Sequence, residues 1–172
     1  MRKLVAGFAS SLDGYIEGLK GEHDWILIDK EIDFAEQMKR YDAYFYGRKS
    51  YEAVVKLGPV DTSSAHYVFS SSLTEGKKGF ILINGNIFNK VNEIKNSVGK
   101  DIAIFGGASL LASLLKLNLV DELSIAFIPV LLGSGKPMVE VLNEKVWPDL
   151  IRTHTYKNGT VLLTYNINTT AS

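Results

Sequence analysis

One local pattern constrains this chain more than any other: a short run of apolar and aromatic residues ends on glycine, and helix-forming residues follow at once. Ala43–Tyr46 meets Gly47-Arg48-Lys49-Ser50, and Ile102–Phe105 meets Gly106-Gly107-Ala108-Ser109. Runs of this length and composition read as buried strands, and glycine lets the backbone turn sharply from strand to helix. Leu4–Ala9, His66–Phe69, Gly79–Ile83 and Glu122–Ile128 read as further strands. Helices are expected over Glu31–Arg40, where Ile32, Ala35 and Met38 fall at helical spacing, over Lys49–Leu57, along Ile87, Val91, Ile94 and Val98, and over Ser109–Leu117. Ser10–Gly21, Gly58–Ala65 and Pro129–Pro137 read as loops. Arg152–Lys157 and Thr160–Asn166 flank Asn158-Gly159, a dipeptide suited to a type I′ hairpin turn. Strands alternating with helices imply a largely parallel sheet covered on both faces, and the closing hairpin adds antiparallel character.

With 172 residues and no linker, repeat or low-complexity stretch, the chain reads as one domain over residues 1–172. Nineteen basic and nineteen acidic residues cancel, so there is no basic excess to attract nucleic acid or a membrane surface. The absence of cysteine excludes disulfides, thiolate zinc sites and cysteine nucleophiles. His23, His66 and His154 are isolated in sequence, so no metal site is expected. Asp13 interrupts any signal-peptide pattern, and no run approaches the ~20 apolar residues of a membrane span. The expectation is a cytoplasmic protein. On that expectation the acceptor-like triplets Asn158-Gly159-Thr160 and Asn168-Thr169-Thr170 read as a turn and a tail.

The two glycine turns carry the candidate chemistry. A helix N-terminus presents unpaired N–H groups and partial positive charge, which together hold anions such as phosphate. Gly106-Gly107-Ala108-Ser109 is either such a site or a plain tight turn capped by Ser109. Gly47-Arg48-Lys49-Ser50 adds a bidentate cation, a point charge and a hydroxyl, or is a solvated basic turn. Ser70-Ser71-Ser72 follows a third strand. All three lie at C-terminal strand ends, where open α/β sheets bind ligands. The G-x-G-x-x-G fingerprint and the P-loop pattern are both absent. Asp13, before Gly14, is a turn former or an active-site acid. Glu31 and Asp33 open a helix whose dipole favours carboxylates anyway. Trp25 stacks a planar substrate or anchors a loop.

Taken in order, Ala9-Ser10-Ser11-Leu12-Asp13-Gly14-Tyr15-Ile16, Asp42–Glu52 with its Gly47-Arg48-Lys49-Ser50-Tyr51-Glu52, and Ile104–Leu111 resemble the dihydrofolate reductase superfamily. Val120-Asp121-Glu122-Leu123 followed by Ile128-Pro129-Val130-Leu131-Leu132-Gly133-Ser134-Gly135 is most similar to the branch of RibD C-terminal, riboflavin-biosynthesis reductase-like domains. The resemblance implies a three-layer α/β sandwich, with a mixed, mostly parallel sheet of about eight strands and helices on both faces. It implies NADPH across the strand ends: Gly47, Arg48, Lys49, Ser50, Gly106, Gly107, Ala108, Ser109 and Leu110 at the phosphates, Ser70, Ser71 and Ser72 near the adenosine ribose, and Ala9 and Ile16 beside the nicotinamide. Residues 10–21 would form a flap over the site. Asp13 and Glu31 are the candidate catalytic acids, and Trp25, Asp33 and Phe34 the candidate substrate contacts. The implied reaction is hydride transfer to a planar heterocycle such as a pterin or pyrimidine, and the implied assembly is a homodimer. Ala126 stands where a threonine supporting the substrate-gripping acid is expected, and no D-D-P-x-L stretch lies between Asp42 and Gly58. A non-catalytic NADP(H)- or pterin-like-ligand-binding protein is the alternative.

Overall fold

The computed structural model describes residues 1–167; the Asn168-Thr169-Thr170 triplet lies outside them. In chain order the elements are β1 (Leu4–Ser11), β2 (Tyr15–Glu17), α1 (Phe34–Met38), β3 (Tyr41–Gly47), α2 (Arg48–Leu57), β4 (Ala65–Phe69), β5 (Phe80–Ile83), α3 (Ile87–Asn96), β6 (Asp101–Ile104), α4 (Ala108–Lys116), β7 (Glu122–Ile128), β8 (Lys136–Pro137), β9 (Pro148–Thr155) and β10 (Val161–Ile167). Eight strands form one sheet in the order β5-β4-β3-β6-β1-β7-β10-β9. Pairing is parallel from β5 to β7 and antiparallel at β10 and β9.

The pleat of β3 shows how the layers form. Phe45 is fully buried on one face with Val91 and Ile94 of α3 and Leu111 and Leu114 of α4. Its neighbours Tyr44 and Tyr46 point to the other face and pack with Tyr51, Val54 and Val55 of α2. Opposite faces follow from right-handed crossovers, because the chain moves one way from β3 to β4 and the other way from β6 to β7. Between these directions lie β1 and β6, the point where strand order reverses.

Ion pairs lock the end of the sheet where the parallel strands begin. Arg40 donates to both carboxylate oxygens of Glu122, at 2.6 and 3.0 Å, and to Asp101 at 2.8 Å. That fork holds the Glu122 carboxyl below the usual carboxylate range. Buried Lys95 reaches Asp121 at 2.6 Å and the Leu119 carbonyl at 2.9 Å, and Arg2 pairs with Asp42.

The structure departs from the sequence reading in four places. The helix expected over Glu31–Arg40 is only Phe34–Met38 and buries no residue, because Asp33 caps its start and β3 begins at Tyr41. The loops 10–21 and 129–137 each contribute a short strand, and β2 and β8 pair into a ribbon of their own. β9 begins at Pro148, four residues before the expected Arg152. The hairpin turn is not type I′: Gly159 alone has positive φ, at 86°, and its N–H donates to the Tyr156 carbonyl while Tyr156 N–H donates to Thr160. This is the three-residue loop with glycine in the left-handed position. Among the described residues no helix is long and apolar enough to cross a membrane.

Leu114 is fully buried between α4 and the sheet. Leu114→Ala should cost about 2–5 kcal/mol of unfolding free energy, read from urea denaturation; a loss well under 1 kcal/mol would contradict this account of the core.

Candidate active site

At the C-terminal ends of the parallel strands the sheet splits. β1 pairs with β6 only from Leu4 to Ala6, but with β7 as far as Ser11. Beyond Ile104, the Phe105 N–H still bonds the Phe45 carbonyl of β3 at 2.8 Å. β6 therefore stays with β3 while β1 stays with β7, and a narrow, mostly apolar slot opens between them. Gly7, Phe8, Ile16, Gly106, Gly107 and Met138 line it. Ala9, two residues beyond Gly7, is half-buried.

Beside the slot, the two glycine turns meet. A Cβ added at Gly107 would lie 3.4 Å from the Gly47 Cα, and one at Gly106 would lie 2.9 Å from the Ser50 hydroxyl. Gly106 and Gly107 have φ of 83° and 102°, which other residues rarely adopt. Gly47 caps α2 and Gly107 caps α4, so neither helix has a side-chain cap, and neither has an acid in its first turn. The first N–H groups of both helices, from Arg48-Lys49-Ser50 and Ala108-Ser109-Leu110, are thus gathered at one spot without side-chain acceptors from their caps. Arg48 and Lys49 are exposed there, with Arg48 3.6 Å from Glu52. Ser70-Ser71-Ser72 follows β4, next to β3. The Ser70 hydroxyl accepts from the N–H groups of Ser72 and Leu73, while Ser71 and Ser72 are exposed. From β4 through β3 and β6 to β1, the expected cofactor residues form one continuous edge.

The candidate acids are placed differently. Asp13 accepts from Ser11 Oγ at 2.6 Å and from the Gly133 and Leu132 N–H groups at 2.7 and 3.2 Å. The Ser11 hydroxyl first, then those two amides, hold its carboxyl below the usual range. With Leu12 N–H bonded to Val130, Met138 N–H to Gly14 and the β2–β8 ribbon, the flap and the 130s loop are one clasp. Glu31 pairs with Lys157, and Asp33 accepts from Glu36 N–H as the cap of α1. Buried Asp29 accepts from the Glu31 and Asn158 amides. Trp25 is half-buried and donates to the Glu22 carbonyl, and Phe34 is exposed on α1. All of these carboxylates are engaged by loops, caps or cations.

Three neighbours of the site were not legible in sequence. Phe105, half-exposed between the slot residues Ile104 and Gly106 and packed on the Tyr46 ring at 5.4 Å, looked like the last strand residue. Met138 arrives through the β2–β8 ribbon, which two paired residues of β8 could not announce. Glu140 accepts from Ser109 Oγ at 2.5 Å, at the start of α4 and beside a groove of ≈ 640 Å³ along that helix.

Comparison with known proteins places the fold and the family. Residues 2–163 match the model of the RibD C-terminal domain. The chain is 36% identical over 180 residues to the uncharacterized protein YyaP of Bacillus subtilis (strain 168), covering 97% of this chain and 96% of that one. Among solved structures, a candidate riboflavin biosynthesis protein from Shewanella sp. PV-4 superposes with a TM-score of 0.83 at 25% identity, covering 96% of this chain and 99% of that one. Dihydrofolate reductase from Enterococcus faecalis, solved with NADP(H), superposes with a TM-score of 0.68 at 17% identity, covering 96% of each chain. The fold is that of dihydrofolate reductase. Within it, the chain belongs to the RibD C-terminal domain family.

The clasp predicts a pH signature. A carboxyl held below its ordinary value of 3.8 contributes stability above that value and loses it as pH falls through the folded-state pKa. Asp13→Asn should therefore melt lower than the native protein at pH 7, with the gap closing as pH is taken below 3.8. Thermal melts across pH read this directly, and a gap of equal size at every pH would count against it.

Proposed function

We propose that this protein is an NADPH-dependent reductase that delivers hydride to a planar heterocycle. One observation carries the reading: two helix N-termini without side-chain caps meet across a glycine–glycine contact, beside a slot in the sheet. The site suits a dinucleotide, because two helix starts without side-chain caps or first-turn acids lie together beside Arg48, Lys49 and Ser50. Membership of a reductase-like family and the NADP(H) bound by the dihydrofolate reductase neighbour support the same choice.

On this reading the amides of residues 48–50 and 108–110 hold the pyrophosphate. Arg48, Lys49 and Ser70-Ser71-Ser72 receive the adenosine end and its 2′-phosphate. Ile16, Met138 and the Gly7–Ala9 backbone form the walls at the nicotinamide end and exclude water. Bound there, the cofactor supplies hydride from C4 to an electrophilic C=N or C=O carbon. Asp13 positions the clasp that carries Ile16 and Met138. Since the nearby carboxylates are engaged, the proton reaches the substrate from an ordered water rather than from Asp13 or Glu31.

That shortage of a free acid also favours a second reading, a non-catalytic NADP(H)-binding protein. NADPH oxidation against a panel including dihydrofolate and the riboflavin-pathway pyrimidinone separates the two. Turnover on one of them supports the reductase, and tight binding without turnover on any supports the binder.

Two substitutions test the cofactor assignment. Gly107→Asp should abolish NADPH binding in a fluorescence titration, through steric block and like charge; unchanged affinity would remove the site. Arg48→Ala should weaken NADPH more than NADH, by about tenfold for a lost charged contact; equal losses would show that Arg48 does not meet the 2′-phosphate.

A further inference from the structure

The first turn of α4 already holds an anion that belongs to the protein. Glu140 accepts from the Ser109 hydroxyl at 2.5 Å, reaching it from a segment 31 residues further along the chain. Ser109 lies near the start of a nine-residue helix that has no side-chain cap and no acid in its own first turn. Among the described residues, Ser109 is the one side-chain partner of Glu140, and no cation pairs with it. Lys116, on the same groove, lies about 10 Å further down the α4 axis. The Glu140 charge is therefore matched only by the hydroxyl and by the positive end of the helix.

The turn that meets it is built differently. The first turn of α2 also has no acid, and it carries Arg48 and Lys49. Glu52, the carboxylate on that helix, sits one turn on and 3.6 Å from Arg48. Of the two turns that touch at Gly47 and Gly107, one is lined by cations and the other by an internal carboxylate.

Two constraints follow from elementary chemistry. A serine hydroxyl has one proton to donate, while carboxylate and phosphate oxygens only accept. Ser109 can therefore donate to Glu140 or to a bound phosphate, and not to both. A phosphate held by the amides of Ala108, Ser109 and Leu110 would also stand close to the carboxylate bonded to that same turn, and like charges there repel. Glu140 is able to yield, since both it and Ser109 are exposed and a single hydrogen bond holds its side chain.

We propose that Glu140 is an internal competitor for the phosphate side of this site: it holds Ser109 in the empty protein and gives it up when a cofactor phosphate arrives. The proposal rests on the cofactor reading above in placing a phosphate at α4. By one contact the carboxylate stabilises the empty helix start and lowers cofactor affinity. A ligand displaces it by adding contacts elsewhere, at Arg48, Lys49 and the slot.

NADPH fluorescence titrations and thermal melts of the native protein, Glu140→Gln, Glu140→Ala, Ser109→Ala and the double variant Ser109→Ala/Glu140→Ala test this. Removing the charge should tighten NADPH about fivefold in both Glu140 variants. The gap should shrink at about 1 M salt, where exposed charges are screened. Without cofactor, Glu140→Ala should melt about 1–3 °C below the native protein, so that stability and affinity move in opposite directions. Ser109→Ala should weaken NADPH more in the Glu140→Ala protein than in the native one, because only there is the hydroxyl free for phosphate. Unchanged or weaker NADPH binding in both Glu140 variants overturns the proposal. So does an effect of Ser109→Ala that is the same with and without Glu140. Both of those results leave NADPH binding to the native protein in place; its absence from the native protein and every variant removes the cofactor reading itself, and the competition with it.

Discussion

The approach of Gly47 to Gly107, backbone against backbone, sets the geometry on which the candidate site depends. These residues end adjacent parallel strands and start helices on opposite faces of the sheet. A Cβ at either position would touch the other turn, at 3.7 Å from Gly47 and 3.4 Å from Gly107, and Gly107 holds a φ of 102° that other residues rarely adopt. Without one, the free amides of α2 and α4 face a common point, and the partial charges of two helix N-termini add there. The split between β1 and β6 opens beside that point because β6 stays hydrogen-bonded to β3 while β1 follows β7.

The rest of the structure holds this edge open. Arg40, Glu122 and Asp101, with Lys95 and Asp121, close the opposite end of the same strands through buried or half-buried ion pairs. Removing one partner from such a pair strands a charge, so that end resists distortion. At the open end, Asp13 bonds the flap to the 130s loop, and β2 pairs with β8. Ile16 and Met138 reach the slot from the two sides of that clasp. The flap is thus tied to a second loop, and its position is set by both.

What was legible in sequence follows from how local each signal is. The strand–glycine–helix units at Gly47 and Gly106-Gly107 are encoded within a few residues, and both turns form as expected. Their meeting depends on β3 and β6 being neighbours, which the family resemblance supplied and periodicity did not. The helix over Glu31–Arg40 failed because spacing of Ile32, Ala35 and Met38 suggested a buried face that no other element covers. The part Asp13 plays in the clasp was hidden because two of its three partners, Leu132 and Gly133, lie about 120 residues away. Glu31 and Asp33 show a related limit: a carboxylate at a helix start is as readily a cap or a pair with Lys157 as a substrate contact, and sequence does not separate these roles. Hydroxyls such as Thr164 carry no sequence signal, since only the folded sheet shows which of them lacks a partner.

The central claim is that the two glycine turns form one binding site for the phosphates of NADPH. Backbone amide chemical shifts, followed by ¹⁵N NMR during an NADPH titration, test it most directly. The account predicts saturable shifts at Arg48, Lys49 and Ser50 and at Ala108, Ser109 and Leu110, all with one dissociation constant. Shifts confined to one turn, different constants for the two, or no response at either would contradict it.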